Sequence, residues 1–276
     1  MRLRSVELAI ADVTAASAFL EGVWGLLPAG TSGTTRFWRG SGEHPYILSL
    51  TEARTPAVTA ITFSGDDIDR LGKPDRDFDV PGGGKGFEIA GPEGQRYRFI
   101  LETSRPATLP ERDRPIQLTH AVLNSPDVEG CERFAVEKLG FKVSDRTGHM
   151  RFVRCNRKHH ALAYAKSDFP SLNHIAFEMR DMDAVMRGIG RLRDAGFDCV
   201  WGPGRHGPGN NVFGYFVAPW GGIVEYTAEV SEVGDDYKVG SPDDWKWPPG
   251  RIDHWGVSKK DVARTSAAEK VLRFRA

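Results

Sequence analysis

Alternating apolar and polar positions mark short strands along this chain, and amphipathic stretches between them mark helices. Ser5-Val6-Glu7-Leu8-Ala9-Ile10 has the period of a half-buried strand and leads into a helix-like segment from Thr14 to Leu20. The same order returns later. Leu118 to Leu123 reads as a strand, and Glu129 to Leu139 as a helix closed by Gly140, a residue suited to the left-handed turn after a helix. Ala57 to Phe63 parallels Ser171 to Phe177, with helix-like segments following from Asp66 in the first case and over Asp181 to Asp194 in the second. Gly91 to Phe99 parallels Ala218 to Tyr226, and the Pro/Gly pairs in each predict a hairpin turn into a last strand. Each half therefore reads as two copies of one strand-helix-strands unit, which makes the chain α+β and internally repeated.

The repeat predicts an N-terminal domain over residues 1–104 and a second domain over 116–230, joined by the Pro-rich, charged linker Arg105 to Pro115. Residues 231–276 form a tail. It carries Trp245, Trp247 and Trp255 in irregular sequence and ends in a short amphipathic helix of about Ser258 to Leu272. Three tryptophans so close together predict packing onto the body of the protein or onto a neighbouring subunit.

Bulk properties narrow the function classes. The 276 residues suffice for two domains with proper cores. Lys plus Arg and Asp plus Glu both number 37, so no net field favours nucleic acid or anionic lipid. No run approaches the roughly 20 apolar residues of a membrane span, and the first residues enter a strand rather than a signal peptide. Cys131, Cys155 and Cys199 are odd in number and lack CxxC spacing, which fits inert thiols in a reducing cytosol. The expectation is a cytoplasmic protein with neither nucleic acid nor membrane as partner.

His120, His174 and Glu225 change the picture. Each interrupts an apolar strand-like run, where a buried carboxylate is costly without a partner. A lone strand histidine is ordinarily a core residue. Two imidazoles and a carboxylate together are the ligand set that holds Fe(II) on one face and leaves positions open for substrate and O2. The repeat sets Glu7 opposite His120, Ala60 opposite His174 and Arg98 opposite Glu225, so the first domain is expected to lack the set. His206 falls in a Gly/Pro-rich stretch expected to be a loop over the cavity, and Tyr215 in the alternating strand after it. His159 and His160 are adjacent, and strand alternation would let one of them face a given cavity. His44, His149 and His254 read as surface or packing residues. Phe152, Phe213, Trp201 and Trp220 are candidates for an apolar lining.

Leu118-Thr119-His120, Arg157 to Ala163, Leu172 to Phe177, Arg205 to Phe216 and Val224 to Glu229 together resemble the vicinal oxygen chelate superfamily, and within it the type I extradiol ring-cleaving catechol dioxygenases. The resemblance covers about residues 3–230. It implies four βαβββ modules paired into two incomplete-barrel domains, and homo-oligomers. It implies Fe(II), with Mn(II) possible, held by His120, His174 and Glu225. It also implies that His160 serves as acid/base, with His206 and Tyr215 contacting the substrate. The reaction expected is meta cleavage of a catecholic small molecule by O2, in bacterial aromatic catabolism. Two other readings stay open: a glyoxalase- or epimerase-like metalloenzyme, and a non-catalytic ligand-binding relative.

Overall fold

The computed structural model describes residues 1–110 and 113–274; Glu111 and Arg112 of the expected linker lie outside the described residues. Four successive units account for most of the chain. The first runs β1 (Arg2–Ile10), α1 (Val13–Phe19), β2 (Leu27–Ser32), β3 (Thr35–Arg39) and β4 (Leu48–Glu52). The second has strands β5 (Ala57–Ser64), β6 (Arg76–Asp77), β7 (Lys85–Ala90) and β8 (Arg96–Ile100). The third runs β9 (Gln117–Ser125), α2 (Val128–Glu137), β10 (Lys142–Arg146), β11 (Met150–Arg154) and β12 (Leu162–Lys166). The fourth runs β13 (Ser171–Glu178), α3 (Met182–Asp194), β14 (Trp201–Arg205), β15 (Val212–Val217) and β16 (Ile223–Ala228). The helix expected from Asp66 is instead a single 3-10 turn, Ile68–Arg70. Gly65, Gly72 and Pro74 crowd this stretch, and Gly and Pro are the poorest helix formers.

Two open sheets result, each an incomplete barrel with the same strand order. One reads β2-β3-β4-β1-β5-β8-β7-β6, the other β10-β11-β12-β9-β13-β16-β15-β14. In each, the first strands of two units pair antiparallel at the centre, and each also pairs in parallel with the last strand of its own unit. An aspartate caps the start of each α-helix: Asp12 accepts from the Ala15 amide, Asp127 from Gly130 and Asp181 from Ala184. Such a side chain satisfies one of the amides that a helix start leaves unpaired.

Register corrects the alignment of the halves. Thr62 pairs with Ser5 and Arg98, and Ala176 pairs with His120 and Glu225. Ser5, not Glu7, thus stands in the place of His120, because a bulge at Arg4 matches one at Thr119. Arg98 does stand in the place of Glu225. It pairs with the buried Glu7, which also accepts from Tyr46 and Thr62 at 2.9 and 2.7 Å. Where the second sheet gathers two imidazoles and a carboxylate, the first holds an internal ion pair.

The tail packs on the body, as three clustered tryptophans predict. Its helix, α4 (Val262–Ala268), is shorter than expected and is capped by Asp261. The last described residues form β17 (Arg273–Phe274), which the sequence pattern does not announce and which pairs in parallel with β5. The stretch Trp201–Arg205, expected to be a loop, is the edge strand β14. Pro203 has no amide hydrogen to donate, and an edge position tolerates that.

Candidate metal centre and its cavity

Three adjacent central strands, β9, β13 and β16, bring His120, His174 and Glu225 together. Ala176 of β13 is flanked by His120 on one side and Glu225 on the other, and His174 lies two residues along the same strand. Residues two apart share a sheet face, so all three side chains project from one surface. The small side chain at position 176 lets its two neighbours converge. All three residues are buried, and their ligand atoms lie within 4.8 Å of one another.

Neighbouring hydrogen bonds set the imidazole tautomers. Asn173 Oδ1, an acceptor, is 2.7 Å from His174 Nδ1, so Nδ1 carries the proton. Asn173 is held in turn by Asn124, whose Nδ2 donates to Ser171. Thr119 donates to the Ala176 carbonyl at 3.5 Å and accepts from His120 Nδ1 at 2.9 Å. Each ring therefore turns a lone pair at Nε2 toward Glu225 Oε2, at 3.2 Å for His120 and 3.1 Å for His174. Although that close, His174 Nε2 makes no hydrogen bond. Three acceptors converging in a buried place repel unless a cation stands among them. The donor set, N, N and O, fits a divalent transition metal. Glu225 is fully buried, and a cation among the three atoms would offset the cost of keeping its carboxylate ionised there. Asn211 Nδ2 donates to its other oxygen at 3.3 Å.

A cavity of about 520 Å³ opens on this cluster. His160 lines it, with its ring centroid 4.2 Å from that of His120. The adjacent His159 turns away, its Nε2 2.8 Å from the buried Asp145 carboxylate. Both sit in the bend before β12, so the expected strand alternation is not what separates them; their different hydrogen-bond partners are. His206 Nε2 and the Tyr215 hydroxyl lie 2.9 Å apart and line the same cavity. Burial pushes His206 down to about 3 and Tyr215 well above its ordinary range, so both are neutral. Burial also lowers His160 and His174.

The remaining wall is aromatic. Phe152 and Trp201 line the cavity as expected, while Phe213 lies behind it, stacked on His206, and Trp220 packs against Phe19 instead. Sequence reasoning missed the contribution of the tail, since Trp245, Trp247 and Ile252 all face the cavity. Gly207 makes the close approach possible, since a Cβ there would fall 2.3 Å from Trp247. His149, read as a surface or packing residue, lies at the cavity wall, whereas His44 is buried beside Glu102.

Residues 117–226 match the model of the Glyoxalase/Bleomycin resistance protein/Dioxygenase superfamily. A Mn(II)-bound glyoxalase from Novosphingobium aromaticivorans shares 33% identity over 95% of this chain and 93% of its own, with a TM-score of 0.86. The chain belongs to that superfamily and has the vicinal oxygen chelate fold. Homoprotocatechuate 2,3-dioxygenase from Brevibacterium fuscum has the same fold, with a TM-score of 0.82 at 22% identity over 93% of this chain and 79% of its own. Among curated relatives, metapyrocatechase 2 of Cupriavidus necator is 32% identical over 51% of this chain and 42% of its own. Biphenyl-2,3-diol 1,2-dioxygenase of Paraburkholderia xenovorans is 30% identical over 54% of this chain and 52% of its own. The matches thus span about half the length of these curated relatives.

Proposed function

We propose that the protein is an extradiol dioxygenase that opens the ring of a catecholic small molecule with O2. The observation that carries this reading is the convergence of the Nε2 lone pairs of His120 and His174 with Glu225 Oε2, beside a cavity walled by His160, His206 and Tyr215. On this reading His120, His174 and Glu225 are the metal ligands. The metal is Fe(II), with Mn(II) the alternative, and it would bind diol and O2 side by side and pass electrons between them. Dioxygenase names among the curated relatives support the same reaction class.

The chain's own residues supply binding, orientation and proton transfer. Phe152, Trp201, Trp245 and Trp247 exclude water and take the aromatic ring. His160, neutral because burial disfavours its charged form, accepts the hydroxyl proton that the bound diol loses. The neutral His206–Tyr215 pair offers a hydrogen bond to a substrate oxygen. Residues 1–104 form the metal-free domain on this reading, residues 116–230 the catalytic domain and residues 231–276 the tail over the cavity. Ser5 and Arg98 at the positions of His120 and Glu225, with Arg98 paired to Glu7, support that division.

A second reading is a glyoxalase-like isomerase, favoured by the name of the Novosphingobium protein and its Mn(II). The test is to mix anaerobically Fe(II)-loaded protein with 2,3-dihydroxybiphenyl and with catechol in aerated buffer, and separately with a methylglyoxal–glutathione adduct without O2. Yellow ring-opened product that disappears in His174→Ala is the expected result. Turnover of the adduct alone would replace the reading with the second one.

A further inference from the structure

A line of buried polar groups leads away from the cavity behind His160. His160 Nδ1 lies 3.0 Å from His159 Nδ1, and His159 Nε2 lies 2.8 Å from Asp145 Oδ2. Asp145, His159 and His160 are all buried. The Gly240 amide donates to Asp145 Oδ1 at 2.7 Å, and the Tyr237 hydroxyl lies 3.2 Å from both carboxylate oxygens.

These contacts leave one arrangement of protons for neutral rings. The Asp145 carboxylate accepts, so the proton on His159 is at Nε2. His159 Nδ1 is then a lone pair, and the facing atom, His160 Nδ1, must carry a proton. The other nitrogen of His160, Nε2, is left as an acceptor for the cavity that this ring lines. We propose that Asp145 and His159 are positioning residues that lock His160 with its Nε2 lone pair presented to the substrate. Its catalytic consequence rests on the ring-cleavage reading of the site; the tautomer itself does not. The device also ties the tail to the site. Gly240 bridges to Asp145, and a Cβ at Gly240 would fall 2.6 Å from both Asp145 Oδ1 and Trp245 Nε1, so the carboxylate that orients His159 also anchors the segment bearing Trp245 and Trp247.

Asp145→Asn makes a sharp test because the Gly240 amide can only donate. It keeps the Asn carbonyl at the Oδ1 position and turns the amide NH2 toward His159 Nε2. That reverses both rings and leaves His160 with a proton, not a lone pair, at Nε2. An isosteric exchange of this kind in a catalytic triad costs about 10⁴-fold in kcat through the wrong tautomer.

The experiment is nitrogen-detected NMR of labelled histidine rings in the full chain, carrying diamagnetic Zn(II) so that the signals stay sharp. The wild type is expected to show His159 protonated at Nε2 and His160 at Nδ1, with both reversed in Asp145→Asn. In the iron-loaded enzyme the same variant should lose on the order of 100-fold or more in kcat with KM little changed. A wild-type spectrum with His160 protonated at Nε2 would overturn the proposal without recourse to any variant. So would an Asp145→Asn protein with both tautomer and kcat unaltered. If wild type cleaves no diol, the ring-cleavage reading has failed, and the spectrum still decides the tautomer.

Discussion

Asn173 shows how a single neighbour decides what a histidine can do. Its carbonyl fixes the proton of His174 at Nδ1, and it is itself held by Asn124. Removing such a support ordinarily costs about 10–100-fold in metal affinity. Asn173→Ala is therefore expected to weaken iron binding by that factor while leaving the circular dichroism spectrum unchanged, as competition with a calibrated chelator would measure. Unchanged affinity would mean that the tautomer is set elsewhere. The His120, His174 and Glu225 cluster is legible in the sequence, because two histidines and a glutamate inside apolar strands need a reason to be there. Asn173, Thr119 and Asp145 are not, since they are ordinary polar residues whose roles depend on which atoms the fold brings to within 3 Å of them.

Helices and sheet strands were predictable where their pattern is local, and the misses share a cause. Asp caps and apolar periodicity announce α1, α2 and α3, whereas β14 and β17 exist because a partner strand is available. The exchange of Glu7 for Ser5 in the alignment is a register error of two residues, which period-two alternation cannot detect. Trp24, in the π-helical turn Leu20–Trp24 that follows α1, shows how the halves lean on one another. Its ring stacks 3.8 Å from Tyr226 of β16 and edges onto Phe177 of β13, and Tyr226 donates its hydroxyl proton to the Trp24 carbonyl. Emptying such a site costs about 3–5 kcal/mol. Trp24→Ala should lower unfolding stability by that amount in a urea titration; a loss under 1 kcal/mol, against the roughly 3–5 expected, would show that the contact carries little of the joint between halves.

Across the whole molecule, zero formal net charge leaves local burial to set the pH dependence. Burial pushes Cys131 and Cys155 up to about 12 and Cys199 up to about 11, from an ordinary 9.0. An unfolded chain loses these thiol protons near pH 9 while the folded chain keeps them, so unfolding is favoured as pH rises. The stabilising contribution is complete below about pH 9 and lost between about pH 9 and 12. Between about pH 7 and 9 thermal midpoints should therefore hold steady and fall above that, the fall shrinking when Cys131 is replaced by Ala. Among the described residues no helix is long and apolar enough to cross a membrane.

The central claim is that the cluster on β9, β13 and β16 directs O2 into an aromatic ring. Mass spectrometry of the product formed from 2,3-dihydroxybiphenyl under O2 labelled in both atoms tests it most directly. The account predicts a ring-opened product carrying two labelled atoms, formed by the iron-loaded wild type and not by Glu225→Ala. A product with one labelled atom or none, or equal turnover by the Glu225 variant, would contradict it.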